Sequence, residues 1–137
     1  MTHENRRRAI ADEIKHGADA LRAARALRDM GLRNDALSRL YYAIFHYTTA
    51  LLLTEGVEPT SHKALAGLLG LHFAKRGLLS PGDVAVVGHA WSWRSLADYE
   101  RHWDADDAVV VRAFAEVEPL VDRVVELLRS GGWIAGA

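Results

Sequence analysis

Six apolar residues near the C-terminus, Val110, Phe114, Val117, Val121, Val124 and Leu128, recur at steps of four, three, four, three and four. That period lines them along one side of an α-helix; a strand, whose side chains alternate at every residue, would split them between two faces. A stripe this continuous needs an apolar surface to pack on, so the chain has to supply further helices. The helix is expected from about Asp104 to Gly131. Pro119 lies off the stripe and, lacking an amide hydrogen, predicts a kink or a split into two pieces.

Punctuation upstream marks four more helices. The first is expected from about Glu4 to Met30, closed by Gly31, with Ile10, Ile14, Leu21 and Leu27 as its apolar positions among small alanines. Asn34 is the expected cap of a second helix reaching about Glu55, with Gly56 after it. Leu37, Leu40, Tyr41, Ile44, Leu51 and Leu52 form one apolar face of that helix, and Tyr42, Phe45, Thr49 and Leu53 a second, which predicts a central position. Ser61 opens a third helix, expected through Lys75 and closed by Gly77. Ser80-Pro81 opens a fourth, serine at the cap and proline in the first turn, reaching about Arg101. No strand pattern and no internal repeat interrupts this series. The reading is an all-α antiparallel bundle of four to five helices. Residues 1–130 form one domain, and 131–137 form a flexible C-terminal tail. Apolar or small residues on more than one face of helices one, two and four predict a homodimer.

Composition narrows the function classes. A chain of 137 residues is one domain's worth, and without cysteine it offers neither disulfides nor a thiolate nucleophile or metal ligand. Net charge is −1, against a dedicated nucleic-acid coat, although residues 1–33 carry a local +3 and the remainder −4. The polar, Arg-rich stretch from Met1 to Arg8 does not read as a secretory signal, and no apolar run approaches a bilayer span, so a cytoplasmic protein is expected.

Phosphate-binding glycine loops, His-Glu-x-x-His and nucleophile elbows are absent from the sequence. Seven histidines include no i, i+4 pair, so neither a metal site nor a cofactor is expected. Two polar clusters remain. Arg39 and His46 share a face of helix two, about 10 Å apart along its axis. On helix four, Trp91, Arg94, Asp98 and His102 follow i, i+3/i+4 spacing, with Arg101 alongside. One reading is structural: an i, i+4 ion pair beside a tryptophan, and a hydrogen-bonded boundary histidine. The other is chemical, because guanidinium groups grip phosphate and imidazole moves protons near neutral pH.

At these residues the chain resembles the HEPN family (higher eukaryotes and prokaryotes nucleotide-binding), in its small free-standing prokaryotic branch. The pieces come in order. Asp35-Ala36-Leu37-Ser38-Arg39-Leu40-Tyr41-Tyr42-Ala43-Ile44-Phe45-His46 resembles a double-tyrosine helix. Ser61-His62-Lys63 resembles a Thr/Ser-His segment, and Arg94-Ser95-Leu96-Ala97-Asp98-Tyr99 an Arg-x-x-Ala-Asp-Tyr signature. The resemblance spans roughly residues 10 to 128.

It implies a helical bundle, commonly dimeric, that works with a minimal nucleotidyltransferase (MNT) as a toxin–antitoxin pair. Active members are metal-independent ribonucleases with an Arg-x(4–6)-His motif. In this sequence Tyr99 stands where that motif would place histidine, and His102 falls outside the spacing. Arg39 and His46 match it numerically, on helix two. Arg94, His102 and His46 are therefore the catalytic candidates, and Asp98, Tyr99, Arg39, Arg101 and His62 the binding candidates. Tyr99, ahead of Tyr47, is the candidate for modification by the partner. Three readings stay open: a toxin-type component cleaving RNA, a non-catalytic module binding a nucleotide or a nucleotidyltransferase, and a plain dimerisation bundle.

Overall fold

Short side chains at the start of four helices turn back onto otherwise orphaned amide groups. Thr2 Oγ1 accepts from Asn5 N at 3.1 Å, Ser61 Oγ from Ala64 N at 3.1 Å, and Asp106 Oδ1 from Val109 N at 2.8 Å. At Ser80 the bond is reciprocal: its Oγ accepts from Asp83 N at 3.0 Å, and Asp83 Oδ2 accepts from Ser80 N at 2.8 Å, with Pro81 in the first turn. Each such cap stabilises its helix by about 1 kcal/mol.

The computed structural model describes residues 2–135, so Met1 and the last two residues of the expected tail, Gly136 and Ala137, lie outside it. Its helices are α1 (His3–Asp29), α2 (Arg33–Leu53), α3 (His62–Leu69), α4 (Pro81–Tyr99) and α5 (Asp107–Ser130), with a π-helical turn, Gly70–Ala74, after α3. Among the described residues there is no strand, and the chain is an all-α bundle. Among the described residues no helix is long and apolar enough to cross a membrane.

All six stripe residues of α5 are buried. Both apolar faces of α2 are used: it packs on α1, α3, α4 and α5 and forms the centre of the bundle. At the α1–α2 crossing, Gly17 lies so close to Tyr47 that a Cβ there would sit 2.8 Å from the ring. After α5, Arg7 Nη2 donates to the Gly132 carbonyl at 2.8 Å, and the His3 and Trp133 rings lie 4.9 Å apart.

Four local expectations are corrected. Pro119 does not split α5, which runs through it unbroken. The proline is exposed, so the carbonyl it frees lies on the wet side while the buried stripe holds both halves together. Asn34 does not cap α2, whose N-cap is Leu32. Its amide is taken by the loop between α4 and α5, donating to the Trp103 carbonyl at 3.0 Å and accepting from Ala105 N at 2.9 Å. The third helix does not stay α-helical to Lys75: Lys75 N bonds the Gly70 carbonyl, five residues back, in the turn that carries buried Phe73. Finally, α4 stops at Tyr99, because Glu100 adopts extended geometry and Trp103 N bonds back to the Glu100 carbonyl.

Candidate functional site

Arg94 lies in the interior half of α4, and only 9% of it is exposed. Its Nη2 donates to the Tyr42 hydroxyl at 3.0 Å. Its Nε lies 3.0 Å from Asp98 Oδ2, an ion pair lacking hydrogen-bond alignment, and the same Oδ2 accepts from Ser38 Oγ at 3.1 Å. Four rings surround the guanidinium, Trp91 at 5.1 Å, Tyr99 at 5.2 Å, Tyr42 at 5.4 Å and Tyr41 at 5.9 Å from its carbon to their centroids. Burial works against the charge, but Tyr42, Tyr99 and Asp98 outweigh it and raise the pKa further above the usual arginine value. Arg94 thus keeps its charge inside the fold. Tyr99, in the last turn of α4, is 69% exposed.

His62, at the start of α3, joins the other side of this aromatic cluster. Its ring stacks on Trp91 with centroids 4.9 Å apart and planes 20° from parallel, and its Nδ1 lies 2.5 Å from the Tyr41 hydroxyl. Burial pushes the Tyr41 phenol well above its ordinary pKa, so it stays protonated. Burial, then the Arg94 charge, lowers the pKa of His62. With the Tyr41 hydroxyl donating, a neutral imidazole accepts at Nδ1 and carries its own hydrogen on Nε2.

The remaining nominated residues lie elsewhere. Arg39 and His46 do share a face, in a recess of about 340 Å³ with His16, Asp19 and Tyr42, and the Arg39 guanidinium lies 5.0 Å from the centroid of the Tyr42 ring. Although α2 packs on α4, His46 turns to α1: its Nδ1 is 2.7 Å from Glu13 Oε2 and its ring 5.5 Å from that of His16. The placement of His102 one turn beyond Asp98 on helix four is corrected. With α4 ending at Tyr99, both His102 and Arg101 sit exposed on the turn that follows. Tyr47 is buried at the α1 crossing, where burial raises its pKa. Among the described residues no three histidine, aspartate or glutamate side chains converge as metal ligands.

The sequence model of the HEPN domain family matches residues 11–128. The chain belongs to the HEPN domain family. Among relatives of this HEPN domain, a protein of Methanocaldococcus jannaschii named "Putative toxin" is 30% identical over 129 residues, 94% of this chain and 96% of its own. A UPF0332 protein of Pyrococcus horikoshii is 36% identical over 87 residues, 64% of this chain and 61% of that protein. A UPF0332 protein of Gloeobacter violaceus is 33% identical over 105 residues, 74% of this chain and 83% of its own.

Within this HEPN domain the structure brings Arg94, Asp98, Tyr99 and His62 into one cluster, leaves Arg39 with His46 in a neighbouring recess that shares Tyr42, and sends Arg101 and His102 to a turn. Sequence reasoning missed Ser38 and Tyr42 as the α2 partners of the Arg94–Asp98 pair. Their signal was present: Ser38 lies one turn before Tyr42, at the start of the second apolar face of α2. Glu13 as the partner of His46 had no local signal, being 33 residues away in sequence.

Proposed function

We propose that this HEPN chain is the toxin-type member of a two-protein system, that its partner is a minimal nucleotidyltransferase, and that the Arg94–Tyr99 end of α4 is the face the partner or a nucleic-acid phosphate engages. One observation carries the reading: a permanently charged guanidinium is built into the fold directly beside an exposed phenol. Phosphate is the group a fixed guanidinium recognises best, and the phenol offers an oxygen for transfer. In the reaction proposed for the partner, the Tyr99 oxygen attacks the α-phosphorus of ATP. Pyrophosphate leaves, the phenolic proton passes to solvent, and AMP stays on the tyrosine. Relatives named for a toxin role support the toxin-type assignment.

The test is co-expression with the product of the adjacent gene, copurification, and intact mass after addition of ATP. The expected result is one complex and an added AMP mass that Tyr99→Phe removes and Tyr47→Phe retains. Separate purification and an unchanged mass would reject the reading.

A second reading, metal-independent RNA cleavage, is favoured by one arrangement: Arg39 and His46 face one recess, with Glu13 able to hold the His46 Nδ1 hydrogen and leave Nε2 as a base. Cleavage in EDTA by the wild type, lost in Arg39→Ala and in His46→Ala, would assign it to this recess, and loss in Arg94→Ala alone would move it to the Arg94 face. The same assay on His102→Ala tests the exposed turn. No cleavage by the wild type leaves the binding reading in place.

A further inference from the structure

Between α3 and α4 lies a cleft of about 440 Å³ whose lining differs in kind from the Arg94 face. Its walls are largely apolar, with Val87 and the Trp91 ring on α4 and Tyr41 beneath. Its lining includes Gly88, an exposed glycine in the middle of α4, where a Cβ would meet nothing within 4 Å. A mid-helix glycine weakens a helix relative to alanine, and no neighbour among the described residues needs the room it leaves. That open position borders the cleft.

The polar groups are few, and the one charge among them is positive. Lys63 lines the rim, is exposed, and has no ion-pair partner among the described residues. With Tyr41 donating to its Nδ1, His62 offers an N–H at Nε2. Among the described residues no carboxylate lines the cleft. Ligand sites of this size are typically apolar with a few placed polar groups that fix orientation.

We propose that this cleft binds a small aromatic carboxylate, its ring lying over Gly88 against Trp91 and its carboxylate taken by the Lys63 ammonium and the His62 N–H. A single negative charge suits one ammonium and one neutral donor. A nucleotide would bring a phosphate dianion and base edges needing several more donors and acceptors than this lining supplies. The proposal does not rest on the toxin-type reading, since none of it requires a partner or RNA. The two sites nevertheless share walls, because Trp91 and Tyr41 also flank the Arg94 guanidinium. An occupant therefore rests on rings that hold Arg94.

The test is isothermal titration of the full chain with 3-phenylpropionate, its neutral amide, and AMP. Wild type is expected to bind the carboxylate saturably and the amide more weakly. Gly88→Leu places a side chain in the cleft while improving helix propensity, so it is expected to unfold at the same or higher urea concentration and to bind at least about tenfold more weakly. Lys63→Met, a surface change that leaves folding untouched, is expected to weaken carboxylate binding about two- to fivefold and leave the amide unchanged. Absence of saturable carboxylate binding by wild type, or undiminished binding by Gly88→Leu, overturns the site. Equal loss of acid and amide in Lys63→Met, or AMP binding tighter than the carboxylate, overturns the ligand class.

Discussion

Removing the carboxylate of Asp98 tests whether Arg94 depends on it or merely lies beside it. The Arg94 side chain is 10% exposed and that of Asp98 30%. Breaking a fully buried pair from one side costs about 3–5 kcal/mol, because a charge is left without compensation. A solvent-exposed pair contributes only about 0–1 kcal/mol. Asp98 retains some contact with water and Arg94 keeps its bond to Tyr42, so Asp98→Ala is expected to cost about 1–2 kcal/mol, between those limits. Arg94→Leu removes the buried charge, keeps an apolar body among the four rings, and leaves Asp98 free to hydrate. The double variant should therefore be more stable than the sum of the singles by about 1 kcal/mol. Urea unfolding followed by far-UV circular dichroism measures all four corners of the cycle, and equal slopes would show that the compared states match. Ser38→Ala, which removes only a donor to the same oxygen, serves as the control for lost hydrogen bonding. Additivity within about 0.3–0.5 kcal/mol would refute the reasoning, because it would mean the two residues ignore each other.

Light scattering at tens of micromolar is expected to give the mass of a homodimer, and a monomer mass would count against it. Because the folded His62 has a pKa below its ordinary 6.5, the unfolded chain binds more protons through that range. Stability should be whole above pH 6.5 and drain as pH falls below it, and His62→Gln should flatten that limb in urea melts. At Asp83, burial works to raise the pKa, but bonds from the Ser80 amide, Arg123 and the Ser80 hydroxyl outweigh it and hold the value below 3.8. That contribution is full above pH 3.8 and is lost as pH falls through the lowered value. Asp83→Asn should cost about 1 kcal/mol at neutral pH and nothing in strong acid, and an equal cost at both would contradict the assignment.

Helix existence was legible wherever a local signal was strong: Ser80-Pro81 fixes the start of α4 through bonds to residues three away, and the α5 stripe states its own burial. Signals that depend on a distant neighbour misled. Asn34 has the chemistry of a cap, but the loop at Trp103 and Ala105 competes for its amide and wins. The same loop bends the chain away after Tyr99 and carries His102 off the helix, something no spacing rule along α4 contains. At the candidate site, Arg94 and Asp98 could be paired from their four-residue step, and Tyr99 was nominated with them. The stacking of His62 on Trp91 requires α3 to fold back across α4, and that is settled by the packing of α2 between its neighbours.

The crossing at Gly17 carries a consequence for tolerated change in α1. One turn to either side of Gly17 stand Glu13 and Leu21, and either side chain would collide with the Tyr47 ring if the helix slid along α2. The pair therefore has a single longitudinal setting, and that setting lays Glu13 against His46. Adding or deleting one residue between Glu13 and Gly17 would rotate Glu13 by about 100° while the glycine stayed seated. The contact to His46 thus depends on a count: the number of residues in that stretch matters more than which residues they are.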